Sequence, residues 1–481
     1  MSFRAKLQAS FFALGVLAIA VTAWQAFSTA TATLRRSTSD HLTAARETRR
    51  RIVEDYFADL TRHVLALSAD ESSVTALESF RAAWSALPAV ADDDPRREML
   101  ERHYRATFAP RVAAELTADA VVRDWVPADP RERGLQHLFI VDNPNPVGSK
   151  DLLLEPAAAT DAYSQTHARF HPTLQRYQGV FGFYDVFLID ARDGRVLYSV
   201  FKEIDVGRRL TAPPFAGTGL ARAFSRAMAL SEPALAVVED YSPYAASYFA
   251  PAAFAAAPIW RAGEKIGVLA IQVSISRVNR VMTSDGNWAG EGLGATGHTY
   301  IVAADGTLRS DVRAEIEDSE AFLREIGALG VADDTLTRIR RNGTAVLTLR
   351  LPDGATRALQ ATPAGTAIGA DFTDAEVVRS HARLNIPGLD WFVVAEIRTA
   401  EAFAPASQLL RRLLIVGSLI TLAFLGAAWY IARSVTRPVM ALAYGTRALS
   451  ARDFKVRLAV PSHDEIGQLA ASFNEMAERL A

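Results

Sequence analysis

A chain of 481 residues, half of them hydrophobic, can bury more than one core, so two or three compact units are expected. The formal charge of -2 leaves no basic footprint, which speaks against a nucleic-acid partner. Cysteine is absent, which excludes thiol catalysis, Cys-ligated metals and disulfides.

After Arg4 and Lys6 no charge occurs until Arg35, and residues 7–27 are apolar enough to cross a hydrocarbon core, which takes about 20 helical residues. Ala30-Thr31-Ala32 resembles a signal-peptide cleavage site, but the apolar run exceeds the roughly 7–15 residues of such a segment. An uncleaved anchor is therefore predicted, with residues 1–6 cytoplasmic and 7–28 in the membrane. Residues 29–132 read as a helical stalk. Ile52, Val53, Tyr56, Phe57, Leu60, Val64 and Leu67 recur at helical spacing, and a second, polar helical stretch covers residues 96–122 with a break at Pro110.

Strand signals follow in two sets, each opening on a hairpin. In the first unit, residues 133–288, strands at 184–190 and 195–201 flank Asp193-Gly194, a dipeptide suited to a tight turn; further strands are predicted at 258–260 and 266–275. In the second, residues 289–410, strands at 299–303 and 308–310 flank Asp305-Gly306, with others at 345–351, 357–362 and 391–397. A second uncharged run at 413–432, bracketed by Arg411, Arg412 and Arg433, predicts another membrane helix over 411–432. The flanking charges orient the chain poorly, because long loops translocate largely regardless of charge.

Residues 433–481 carry two apolar seams, Val435, Val439, Leu442, Thr446 and Leu449, then Ile466, Leu469, Phe473, Met476 and Leu480. Between them Val456, Leu458 and Val460 alternate with Lys455, Arg457 and Ala459, as in an extended connector. Two short helices cannot bury these seams alone, so a homodimer forming a parallel four-helix coiled coil is expected. Thr436-Arg437-Pro438-Val439 and Asp464-Glu465-Ile466-Gly467-Gln468-Leu469 resemble the paired motifs of the HAMP linker family, from which the chain departs at Arg452, where Gly is frequent. The resemblance implies a cytoplasmic relay through Pro438, Val439, Leu442, Leu449, Glu465, Ile466, Leu469, Phe473 and Met476. It also fixes the orientation, with residues 29–410 outside. The second seam is still in phase at Leu480, so a cytoplasmic output domain, of nucleotide cyclase, histidine kinase or chemotaxis type, is expected beyond residue 481.

The long helix followed by two sheets looks like the double Cache sensor, an α+β architecture of two PAS-like antiparallel sheets. More narrowly, the segments 181–190, 198–203 and 251–254 resemble a subgroup of Cache receptors with such outputs. That resemblance implies a membrane-distal unit at 133–288 and a membrane-proximal one at 289–410 in an inner-membrane, periplasm-facing receptor. The Arg-Trp-Tyr constellation of amino-acid-binding members is not recognisable, which speaks against an amino-acid ligand.

No catalytic site emerges. Gly292-Leu293-Gly294-Ala295-Thr296-Gly297 has dinucleotide-loop spacing but precedes a strand, and a phosphate needs a helix N-terminus there. No nucleophile elbow or P-loop is present. His167 and His171 are four apart without the other residues of a metal motif, leaving ligand hydrogen bonding or a satisfied surface pair. A two-residue turn at Asp193-Gly194 would set Asp185 opposite Lys202 among Phe183, Phe187 and Ile189, as a structural bridge or as one end of a ligand site. The segment 240–244, continuing to Tyr248 and Phe249, reads as an acid-flanked phenolic loop suited to a small cationic or hydroxylated ligand; the alternative is a loop packing its rings on the sheet. The predicted ligand residues are Asp185, Lys202, His171, Asp240, Tyr241, Tyr244 and Tyr248, with no metal and no cofactor. The function expected is a transmembrane receptor for a small molecule. A membrane-tethered enzyme and a ligand-free dimerisation subunit are the rivals.

Overall fold

The structure, a computed structural model, describes residues 3–91, 93–156, 160–288, 290–451, 453, 455–459 and 464–480, without the side chains of 3–11, 432, 433 and 480. The side chains of Arg4, Lys6, Arg433 and Leu480, and the whole of Arg452 and Val460, fall outside the described residues. The chain divides into two units, Thr38–Glu401 and a second made of Met1–Ser37 with Ala402–Ala481.

One helix runs over Phe3–Ala69. Within the larger unit its side chains Val53, Phe57, Leu60, Val64 and Leu67 are buried at steps of three and four, while Ile52 faces solvent. The next helix, Glu71–Ala86, buries Val74, Leu77 and Phe80. The polar stretch expected at 96–122 is broken into the helix Pro95–His103, a π turn Tyr104–Phe108, a 3-10 turn Ala109–Arg111 and the helix Ala118–Trp125.

The first sheet has strands β1 Asp185–Asp190, β2 Val196–Ser199, β3 Val237–Tyr244, β4 Ala250–Arg261 and β5 Glu264–Val273, all neighbours antiparallel in the order β2-β1-β5-β4-β3. Strand β4 is far longer than the expected 258–260. Its side chains are buried on both faces: Ala253, Ala255 and Ala257 belong to the core under the long helix, and Ala252, Phe254 and Ala256 to the core on the opposite side. A strand covered on both faces loses the apolar–polar alternation by which a sequence reveals it.

The second sheet has strands β6 His298–Ala303, β7 Ala364–Ala370, β8 Glu376–Arg383 and β9 Trp391–Arg398, in the antiparallel order β6-β9-β8-β7. Of the expected strands here, β6 and β9 are present. The segment 308–310 makes only an isolated bridge, Val302 with Leu308, and 345–351 only the bridge of Arg350 with Thr307. The expected strand at 357–362 lies largely in a helix, Asp353–Ala361, that buries Ala355 and Leu359 one turn apart. One face of this sheet packs Ile301, Trp391 and Val393 into the same core as the long helix and the first sheet. The other packs Tyr300, Val302, Phe392 and Val394 under short helices carrying Phe322, Ile326 and Ile339.

Among the described residues, two helices are long and apolar enough to cross a membrane, with Leu14, Leu17, Val21 and Trp24 on the first and Leu414, Leu419, Leu422 and Trp429 on the second exposed. The second apolar helix, Ala404–Ile431, passes through a π turn, Ala432–Thr436, into the helix Arg437–Ser450; a non-helical connector at 455–459 and the helix Glu465–Leu480 follow.

Candidate functional site

The hairpin that carries Asp185 and Lys202 is not the tight turn expected. Phe187 pairs with Ser199 and Leu188 with Tyr198, then a bulge shifts the register so that Ile189 meets Val196. This ladder differs by one residue from the expected pairing and takes Lys202 away from Asp185. Lys202 adopts φ 56°, a left-handed conformation beyond the end of the strand. The Asp185 carboxylate is caged by its own hairpin: it accepts from the backbone N–H of Val186 at 2.7 Å and Val200 at 2.8 Å, and from the Ser199 hydroxyl at 2.6 Å. The Lys202 ammonium donates to the Val200 carbonyl at 2.8 Å. The two charges thus act through a shared loop and not as a contact pair.

Burial dominates the ionisation of this region. It pushes the Asp185 carboxyl up to about 7, aided by the neighbouring charge of Asp205. Lys202 is brought down to about 7 by burial, opposed by Asp185 and Asp151. Glu203 is raised well above the carboxylate range by burial and by Asp205 and Asp185. The Tyr244 hydroxyl donates to Asp205 at 2.6 Å, and burial still raises that carboxyl to about 6.

His171 lies 2.6 Å from the Asp151 carbonyl through Nε2 and 2.6 Å from the Tyr198 hydroxyl through Nδ1. A carbonyl only accepts, so the proton sits on Nε2 and Tyr198 donates to Nδ1. His167 stacks on His171 with centroids 4.4 Å apart, and both are buried, so the pair is not on the surface. Lys202 faces a small cavity of about 30 Å³ together with Glu203, Lys150, Tyr104, Phe201 and Tyr248. That volume holds one or two waters. Glu203 and Lys150 were not singled out in the sequence; the signal available was a charged residue beside apolar positions at 201 and 152–154.

The segment 240–244 is strand β3 at the sheet edge and not a loop over the pocket. Its side chains are spent on packing. Asp240 holds Arg309 with both oxygens, at 2.9 and 3.0 Å, and accepts the Trp391 indole N–H at 3.0 Å. Tyr241 stacks on Trp391 at 5.7 Å with rings 4° from parallel, and Phe57 of the long helix meets the same indole edge-on at 5.4 Å. Asp240 and Tyr241 therefore join the two sheets to each other and to the long helix. Tyr244 is buried on the opposite side, against Phe254 and Phe215. Of the seven candidates, Lys202 and Tyr248 line the small cavity, Asp185 holds the backbone that leads to Lys202, His171 Nε2 lies 3.4 Å from the Lys202 nitrogen, Tyr244 is bonded to Asp205, and Asp240 and Tyr241 lie elsewhere.

In the second sheet, Glu396 of β9 is fully buried and receives the Arg379 guanidinium at 2.7 Å and the Tyr300 hydroxyl at 2.9 Å on Oε2. It lines a cavity of about 190 Å³, which sequence reading missed.

Among the relay residues, Leu442 and Phe473 are buried together with Ala470 and Ala477, with Leu449, Ile466, Val456 and Leu458 packed against them. Asn474 clasps the connector through both the N–H and the carbonyl of Leu458, at 2.8 and 2.9 Å. Asp464 caps the second helix by accepting from the N–H of Ile466 and Gly467, at 3.0 and 3.1 Å. Glu465 opens that helix and Pro438 lies in the first turn of the preceding one. Val439, Leu469 and Met476 are left exposed.

Comparison with known proteins places a HAMP domain at residues 430–481. A curated relative, Drug sensory protein A of Synechocystis sp., is 40% identical over 63 residues, which is 13% of this chain and 9% of that protein, so the chain matches only a small part of its length. Among solved structures, the ligand-binding domain of the Pseudomonas aeruginosa amino acid chemoreceptor PctB is similar at 16% identity and a TM-score of 0.29, covering 50% of this chain and 84% of that one. The sensory domain of the Campylobacter jejuni chemoreceptor Tlp3 is similar at 9% identity and a TM-score of 0.33, covering 77% and 97%. The chain thus combines a HAMP domain, an apolar helix that enters it, and a unit of two antiparallel sheets.

Proposed function

We propose that this chain is a transmembrane sensory receptor. The two-sheet unit senses a small molecule outside the cytoplasmic membrane, the two apolar helices span it, and the HAMP domain carries the signal to a cytoplasmic output. The observation that carries this reading is the continuity of the apolar helix Ala404–Ile431, through the π turn Ala432–Thr436, with the first HAMP helix Arg437–Ser450. A shift or rotation of one helix is delivered directly to the other. The exposed Val439, Leu469 and Met476 support a homodimer, because the apolar seam they prolong remains open to a second copy.

The first sheet is the proposed ligand-binding unit, with Lys202 and Tyr248 at the ligand and Asp185 and His171 behind them. The cavity of about 30 Å³ is too small for an organic ligand, so binding requires the loop around Lys202 to open. A ligand that favours the open form then biases the helices, since only differential affinity for two states shifts their populations. Alkaline phosphatase fused within the first sheet unit, at residue 192, should be active in intact cells, and the same reporter after residue 481 inactive. The reverse pattern, or equal activity, would remove the receptor topology.

A further inference from the structure

The glycine loop 292–297 has the spacing of a phosphate-holding loop, and its backbone N–H groups do hold an anion, but that anion is the chain's own carboxylate. Glu401 accepts from the N–H of Ala295 at 2.7 Å on one oxygen and from the N–H of Thr296 at 2.8 Å on the other, which also takes the Thr296 hydroxyl. The Thr296 hydroxyl oxygen in turn accepts the backbone N–H of Arg398, the last residue of β9, at 3.2 Å. Gly294 makes this seat possible. Its φ is +66°, and a Cβ built there runs into Glu401 Oε1.

The same loop grips the long helix. His41 Nε2 donates to the Gly292 carbonyl at 3.0 Å, and a Cβ on Gly292 would meet that imidazole at 3.2 Å. About two turns further along the helix, Arg49 pairs with Glu291 beside the loop. Between the two grips Arg313 fixes the loop by donating to the carbonyls of Gly294 and Gly297, both at 2.9 Å. Six residues thus join the helix Phe3–Ala69, which contains the first apolar run, to the short helix Thr399–Ala402, which precedes the second at Ala404–Ile431. Starting β6 at His298 requires neither grip.

We propose that loop 292–297 is a clasp that sets the signalling state: with Glu401 seated, the end of β9 is fixed to the long helix, and unseating Glu401 frees the chain that enters Ala404–Ile431. The seat suits a switch, because hydrogen bonds to a half-buried carboxylate are specific in direction yet weaker than a packed core. Such a clasp has a role only in the receptor proposed above, whose relay supplies the readout.

The chain has no cysteine, so Val439→Cys in the full chain in lipid nanodiscs reports how two copies pack. Glu401→Ala should change the yield of that crosslink by about twofold or more, as a shifted two-state equilibrium does. Gly294→Ala, which puts a methyl group where Glu401 Oε1 sits, should change it in the same direction. Glu320→Ala is the control: it breaks another ion pair of the same unit, with Arg340 at 3.0 Å, and should leave the yield at the parent level. Parent-level yields in both Glu401→Ala and Gly294→Ala would overturn the clasp; a yield that Leu442→Asp still changes then leaves the relay standing, and one that it does not change removes the relay as well. An equal change in Glu320→Ala would also overturn the clasp, as general loosening of the unit. No crosslink in the parent chain would remove the dimeric receptor and the clasp with it.

Discussion

Asp240 grips Arg309 through both carboxylate oxygens, at 2.9 and 3.0 Å, and so ties the edge strand of the first sheet to the turn that follows the first strand of the second. The same carboxylate takes the Trp391 indole N–H at 3.0 Å, which gives the joint a fixed direction as well as a charge pair. Replacing Asp240 by Ala strands Arg309 and the indole together. The expected loss of stability is about 2 kcal/mol, below the 3–5 kcal/mol of a fully buried pair because solvent reaches the Asp240 side chain. Thermal unfolding of the full chain in nanodiscs checks this. A melting temperature equal to that of the parent chain would mean that the joint contributes nothing.

A second prediction concerns Gly267 of β5. A Cβ built there meets the Ile189 carbonyl oxygen at 2.6 Å and also runs into the Leu77 side chain of the helix above. The side chain could rotate, but the carbonyl belongs to the β1–β5 ladder, where Ile189 pairs with Val268 and Asp190 with Gly267. Gly267→Ala should therefore destabilise the unit by about 1–3 kcal/mol, as overpacking does in a filled core. Gly263→Ala is the comparison: its Cβ meets nothing within 4 Å, so only the strain of its φ of +86° remains. Equal melting temperatures for Gly267→Ala and the parent would show that helix and sheet are less tightly apposed.

How much of this was legible depends on how cleanly burial writes itself into the sequence. The long helix announced itself because Val53, Phe57, Leu60, Val64 and Leu67 are buried on one stripe. Strand β3 did not, because Ser242 and Pro243 suggest a loop; at a sheet edge Pro is tolerated, and Pro243 sits opposite Pro251. Counting outward from Asp193-Gly194 gave the wrong partner for Asp185 because a bulge between Leu188 and Ile189 cannot be seen in composition. In the second unit, 357–362 was misread because a short helix with three buried positions, one of them the polar Thr356, leaves little apolar periodicity to count. Glu396 had a usable signal: it is the lone acid in the apolar run of β9, and a charge there has to be answered.

The pH dependence of folding should report on Asp185. Its carboxyl is raised from the ordinary 3.8 to about 7, chiefly by burial, so between those values the folded chain holds a proton that the unfolded chain has released. With more protons bound in the native state, the contribution of Asp185 to stability falls as pH rises from about 4 to about 7 and is level above that. Lys202, lowered to about 7 by burial, works in the opposite direction: its contribution rises with pH above 7 towards its ordinary value. Asp185→Asn removes the first dependence. The melting temperature of the parent relative to Asp185→Asn should therefore decline from pH 4 to 7. A difference independent of pH would mean that Asp185 is ionised throughout.

The last prediction concerns the relay. Phe473 packs beneath Gly445, where an added Cβ meets the phenyl ring at 3.0 Å and the two Leu458 methyl groups at 3.1 Å. The first HAMP helix, the connector and the second helix thus close on one another at a single layer that also contains Leu442. Leu442→Asp and Phe473→Asp bury a charge in this layer and should penalise one or both helix packings by several kcal/mol. Val439 and Met476 lie on the exposed continuation of the same seams, so cysteines placed there should crosslink two copies in the parent chain. In the Asp variants those crosslinks should weaken or move to neighbouring positions. Phe473→Ala, which leaves a cavity in place of a charge, should loosen the layer less. Identical crosslinking in the parent chain and both Asp variants would show that this layer does not set how two copies pack, and the HAMP segment would lose its role as the conduit for the helix Ala404–Ile431.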